Sequence, residues 1–122
     1  MEGADMTTTP FDLDRLRRYA RDELDVIIEH RCRAGEDPYD FIHDLPTVDE
    51  LVVYELRADA LDARGLTTQY TMARYAARSN RPDADTHRHN VARLEYDLLR
   101  EIALEHPDLT RTVWTMIGEI GL

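Results

Sequence analysis

Apolar residues recur along this chain at helical spacing. Leu13, Leu16, Ala20, Leu24, Ile27 and Ile28 follow one another at intervals that place them on one side of a helix, and the polar side carries "RDELD" and "EHR". The spacing predicts a first helix over 10–34. Thr9-Pro10 supplies its cap and first position, Asp12 sits in its first turn, and Gly35 stops it. A short helix is expected over "PYDFIHDL", opened by Asp37-Pro38 and closed by Pro46, with Tyr39, Phe41, Ile42 and Leu45 plugging one end of the core.

Thr47 and Glu50 have the spacing of a capping box. The helix behind them, "VDELVVYELRADALDA", runs on to Gly65. Val48, Leu51, Val52, Leu56 and Leu61 form its apolar face, which Val53, Tyr54 and Ala58 widen. A face that broad suits a central helix, or one packed on one side within the chain and on the other against a second subunit. A fourth helix begins at Thr67 or Thr68 and ends near Asn80. Pro82 then breaks the chain, and Asp83 or Asp85 caps a fifth helix over Thr86–His106 with Val91, Leu94, Leu98 and Ile102 as its stripe, reaching toward Glu105. Asp108 is the expected cap of a last helix bearing Leu109, Val113, Trp114, Ile117 and Ile120; Trp114 is read there as mostly core.

No segment alternates with a period of two between hairpin turns. The pattern therefore predicts an all-α bundle of five to six helices. It forms a single helical domain over 10–122 behind a disordered N-terminal stretch, 1–9. The first and fifth helices are long for a chain of 122 residues. Two arrangements are open: a monomeric bundle, or a homo-oligomer in which one long helix pairs with its counterpart.

Composition sharpens this picture. The chain is 43% hydrophobic and 33% charged, the balance of a soluble globular domain. No apolar run approaches the ~20 residues that cross a bilayer, so no membrane partner is expected. Cys32 is the one cysteine; no internal disulfide forms, and with no secretory leader in view a cytoplasmic setting is expected. Lysine is absent, so all fifteen strongly basic residues are arginine, and the formal net charge is -10. Such a charge repels nucleic acid at long range and favours a protein partner.

That charge is unevenly spread. Residues 1–63 hold seven arginines and seventeen acids, a net of -10; residues 64–93 hold six arginines and two acids, a net of +4; residues 94–122 hold two arginines and six acids, a net of -4. The stretch "RGLTTQYTMARYAARSNR", 64–81, contains four arginines and no carboxylate. On a helix, Leu66, Tyr70, Ala73 and Ala77 line one side, and Thr67, Thr71, Arg74, Arg78 and Arg81 another. Tyr70 and Tyr75 fall on different sides, one to fill core and one to sit at the rim of a groove. The next helix opens with "THRHNVAR", which gathers His87, Arg88, His89, Asn90 and Arg93 in its first turns.

Threonine, arginine and the free N–H groups of a helix start hold phosphates. Arginine reads guanine and asparagine reads adenine. The helix pair Thr67–Asn80 and Thr86–Arg93 is thus a candidate DNA-contacting unit within 64–93. "GLTTQYTMARYA" followed by "THRHNVARL" resembles the helix-turn-helix or winged-helix regulators. The resemblance implies packing roles for Leu66, Ala73, Val91 and Leu94, and base-facing roles for Arg88, His89 and Asn90. The chain departs from that pattern in its longer turn, "SNRPDAD", and in Asp83 and Asp85, which stand where phosphate would approach.

The same residues support a second reading. Arginines 74, 78 and 81 suit a protein-facing or self-pairing surface, since guanidinium is the cation best fitted to interface pairing. The acid of the first three helices, in turn, suits capture of a basic protein, as in an inhibitor, immunity or assembly protein. Double-stranded DNA, a basic protein and a second copy of the chain are the partners these readings imply.

Catalytic and metal chemistry find little footing. His87 and His89 are two positions apart, a spacing that does not share a helix face, so no metal site is expected even with Asp83 and Asp85 nearby. Carboxylates such as Asp22, Glu23 and Asp25 show no cleft that would tune them. Cys32, between Arg31 and Arg33, reads as a partly buried or idle thiol. No phosphate loop or nucleophile elbow occurs. The expectation is a non-enzyme without a cofactor.

Overall fold

In the computed structural model, residues 10–120 are described, with side chains from Leu13 onward. The expected cap at Thr9, the Asp12 side chain and the stretch 1–9 lie outside the described side chains. Among the described residues the protein is all-α: α1 (Pro10–Arg33), α2 (Pro38–Phe41), a 3-10 turn (Ile42–Asp44), α3 (Val48–Ala63), α4 (Thr67–Ala77), α5 (Ala84–Glu105), a second 3-10 turn (Pro107–Leu109) and α6 (Thr110–Ile120). The chain divides into two units, one through Val52 and one from Val53.

In the first unit, α1 buries Leu13 and Ala20 and half-buries Leu16, Leu24, Ile27 and Ile28, the stripe expected from spacing. It ends where Gly35 takes φ +92°, with the Gly35 N–H donating to the Cys32 carbonyl and Glu36 N–H to Arg31. This double closure uses the left-handed geometry that glycine adopts without penalty. Asp37 caps α2 by accepting from the Tyr39 N–H at 3.0 Å. Phe41 is buried beneath the Arg31 guanidinium, 4.3 Å from its ring centre. Tyr39 and Ile42, expected in the core, are exposed. The segment is one helical turn followed by a 3-10 turn, too short to turn more than Phe41 inward. Cys32 is exposed. The capping box forms as its spacing demands, Glu50 N–H to Thr47 Oγ1 at 3.1 Å and Thr47 N–H to Glu50 Oε1 at 2.8 Å.

In the second unit, α3 closes at Gly65 (φ +67°) by the same pair of hydrogen bonds, Gly65 N–H to the Asp62 carbonyl and Leu66 N–H to the Leu61 carbonyl. Leu66 then packs into the cluster that contains Leu61, together with Tyr70, Leu98, Ala60, Val91 and Leu94. A hydrophobic contact across the closure is the usual companion of this cap, and it sets the direction in which α4 leaves. α5 packs against both α4 and α6. Two neighbours explain why its buried face is wider than the expected stripe and includes Leu99 as well as Leu98 and Ile102. Leu109, Val113 and Met116 of the last segment are buried, whereas Trp114 is exposed, contrary to its expected place in the core. Val113 takes the inward position, and the next residue of a helix points away from it.

Helix ends differ from the sequence reading for local reasons. α4 stops at Ala77, before Asn80, because its last carbonyls are taken: Ser79 Oγ donates to Ala76 O at 2.6 Å and Arg88 Nη1 to Ala77 O at 2.7 Å. α5 starts at Ala84, two residues before Thr86, with Asp85 in its first turn. The last helix is preceded by a 3-10 turn that contains Asp108, and Thr110 Oγ1 donates to Pro107 O at 2.7 Å.

Candidate interaction surface

The surface is built outward from Tyr70. This buried tyrosine fixes the rotation of α4 about its own axis. Its hydroxyl donates to Glu95 Oε2 of α5, and Arg57 Nη1 of α3 lies 3.3 Å from the same oxygen. Arg57 and Arg74 stand over the Tyr70 ring at 5.8 and 5.6 Å from its centre. Burial, then the hydrogen bond to Glu95, pushes the Tyr70 phenol up to about 12. One tyrosine, one carboxylate and one guanidinium thereby join three helices.

With Tyr70, Ala76 and Ala77 buried, the opposite side of α4 faces outward. It presents Thr68, Thr71, Met72, Tyr75 and Arg78, all exposed, with Arg74 at its edge. Tyr75 is 72% and Met72 66% exposed. Of the two tyrosines, Tyr70 fills core and Tyr75 lines an open depression of about 130 Å³ with Thr71, Arg74 and Arg78. A second depression, about 290 Å³, is lined by Arg74, Arg78, Arg88 and Glu95 over an apolar floor that includes Val91 and Ile120. Arg74 and Arg78 border both.

The other sequence-predicted residues divide. Thr67 Oγ1 donates to Asp62 Oδ1 at 2.5 Å and belongs to the α3–α4 turn. Arg88 lines the second depression, but it also donates to the Ala77 carbonyl and pairs with Asp85. Arg81 Nη2 lies 2.9 Å and His87 Nε2 3.1 Å from Asp83 Oδ2. Burial works to raise the Asp83 carboxyl, but these two neighbours outweigh it and hold the group below its ordinary range. Its other oxygen, Oδ1, is sealed from solvent with no hydrogen-bond partner among the described residues. Asn90 lines a third groove with Leu66, Gln69, Tyr70, Ala73, Val91 and Leu94, on the far side of Val91 from Arg88. His89 and Arg93 are exposed on α5. Thr71, Arg74 and Arg78 thus come together with Arg88 near them, Arg81 and His87 join at Asp83, and Asn90 lines a different groove. Leu66, Val91 and Leu94 are half-buried against the cluster of Leu61, Tyr70 and Leu98, and Ala73 lines the third groove.

Met72 and Tyr75 are the residues sequence reasoning undervalued. Their signal was available: both sit outside the Leu66–Tyr70–Ala73–Ala77 stripe in a segment with no carboxylate.

Among the described residues, no helix is long and apolar enough to cross a membrane, and no group of three or more His, Cys, Asp or Glu side chains is placed to hold a metal ion. Comparisons with protein-family models, with curated proteins and with solved structures gave no match for this chain. The class is therefore the one its fold and surface define: an all-α protein that exposes a mixed arginine, tyrosine and methionine face on a helix free of carboxylates.

Proposed function

We propose that this protein is a non-catalytic helical binding module whose α4 face docks an acidic protein partner. The observation that carries the reading is the coincidence, on one helix, of exposed Tyr75 and Met72 with Arg74 and Arg78 and with no acidic residue from Gly65 to Pro82. Interface cores are enriched in tyrosine, methionine and arginine and poor in Asp and Glu. In a chain of net charge -10 the composition of this one face runs the other way from the rest.

Duplex DNA is the competing partner, favoured by the lining of one depression by Thr71, Arg74 and Arg78. Two observations weigh against it. Arg88, the first base-facing candidate, is engaged with Ala77 O and Asp85, and Asn90 lines a different groove. Asp83 and Asp85 also stand beside the arginines a phosphate backbone would need.

The test is a pair of titrations of isotope-labelled protein followed by amide NMR shifts. One probe is a helical peptide carrying Tyr and Val anchors separated by Asp and Glu; the other is a random-sequence duplex. The expected result is peptide-induced shifts centred on Thr71, Arg74, Tyr75 and Arg78, lost in Arg74→Glu/Arg78→Glu. Saturable duplex binding through the same residues, weakening steeply with salt, with no response to the peptide, would overturn the reading in favour of DNA.

A further inference from the structure

The α4 face has a complement within the same sequence. On α1, Tyr19 and Val26 are 66% and 65% exposed. They are seven positions apart, and Asp22 and Glu23, also exposed, fall between them on the same side. Arg15 begins this side one turn earlier, and Glu29 and Arg33, paired with each other, end it. The two central turns therefore offer apolar anchors at each end and carboxylates in the middle. They occur in the most acidic part of the chain, residues 1–63. An amphipathic helix docking through anchors one or two turns apart is a recurrent mode of recognition.

We infer that the acidic partner of the α4 face is a second copy of this chain, docked through the Tyr19–Asp22–Glu23–Val26 side of its α1. The inference rests on the docking role proposed above and names the occupant. The charges agree: the α4 face carries arginines in a stretch with no carboxylate, and this side of α1 carries carboxylates in the most acidic part of the chain. The chemistry agrees as well. Tyr19 and Val26 supply apolar groups for Tyr75 and Met72 to cover, and Asp22 and Glu23 supply carboxylates for Arg74 and Arg78. On α4, Arg78 has no ion-pair partner among the described residues, and Arg74 engages only the face of the Tyr70 ring. Neither Asp22 nor Glu23 has a partner there. Docking thus forms new pairs without breaking existing ones.

The experiment is solution mass by sedimentation across a concentration series, at about 0.1 M and about 1 M salt, where the screening length falls from about 10 Å to about 3 Å. The full chain is expected to associate reversibly, with the dissociation constant rising about tenfold or more at high salt, as loss of the exposed pairs of Asp22 and Glu23 with Arg74 and Arg78 implies. Asp22→Arg/Glu23→Arg and Arg74→Glu/Arg78→Glu should each be monomeric alone, with far-UV circular dichroism confirming that each is folded. Mixed in equal amounts they should associate, because the native contact and the charge-swapped contact both form between unlike variants. Three results overturn the inference: a wild-type monomer at every concentration in low salt, association that survives the α4 pair of substitutions, or dissociation by the α4 pair but not by the α1 pair. The first and third leave the docking role of α4 standing, to be judged by the peptide titration. The second removes α4 from the contact.

Discussion

Tyr70→Phe isolates the hydroxyl that ties α4 to α5. At neutral pH the substitution removes a hydrogen bond to a carboxylate, worth about 1.5–3 kcal/mol, while the ring stays in the cluster with Leu61 and Leu98. The alkaline limb of the stability profile gives a second and more specific measure. The phenol is held up to about 12 by burial and by Glu95, against about 10 in an unfolded chain. Because the folded state binds this proton more tightly, the contribution is complete below about pH 10 and is lost as pH rises through about 12. Raising the phenol from about 10 to about 12 corresponds to about 2–3 kcal/mol. Urea unfolding followed by circular dichroism should therefore show the wild type losing its advantage over Tyr70→Phe across that window. The difference between the two proteins cancels the titration of the other tyrosines. An advantage that stays constant from pH 8 to 12 would refute the argument, and so would a Phe variant as stable as wild type at pH 8.

Two further substitutions test local accounts of the fold. Arg88→Ala should lower stability by about 1 kcal/mol, discounted from a buried charged bond because the side chain is half exposed, by freeing the Ala77 carbonyl that the guanidinium caps; chemical denaturation measures it, and an unchanged midpoint would deny the capping role. Gly65→Ala should cost about 1 kcal/mol from its left-handed backbone alone, since a Cβ there meets nothing within 4 Å; a thermal melt with no downward shift would contradict this.

The class of the fold and the sites of its helices were legible because they depend on periodicity and punctuation. Pro10, Thr47, Gly35, Gly65 and Pro82 act within a few residues of themselves, so their effects were readable without knowing what they pack against. The misplacements involve contacts distant in sequence. Arg88 shortens α4 from eleven residues away. Trp114 and Tyr39 are large and apolar, and size alone suggested the core; which of two adjacent residues turns inward depends on neighbours the pattern does not contain. For the candidate site, the sequence marked the arginine island, and three of its members, Thr71, Arg74 and Arg78, do come together. It could not separate the guanidiniums that remain available from those engaged with Asp83, Asp85 and a backbone carbonyl, because a cap and a reading side chain have the same composition.

The link between stability and the proposed docking face runs through the helical period. α4 is eleven residues long, too short to hold a helix in isolation, so neighbours must fix both its existence and its rotation. The Tyr70 hydroxyl, the Leu66 contact behind Gly65 and the Arg88 cap each do part of this. With Tyr70 turned inward, Tyr75, five positions on, falls roughly 140° away around the helix axis, and Arg78 falls beside it. Weakening the Tyr70–Glu95–Arg57 set should therefore blur the outward face as well as lower stability. A helix register fixed by one buried polar group is a specific device, because an apolar residue in place of Tyr70 would fill space without setting the angle at which Tyr75 and Arg78 emerge.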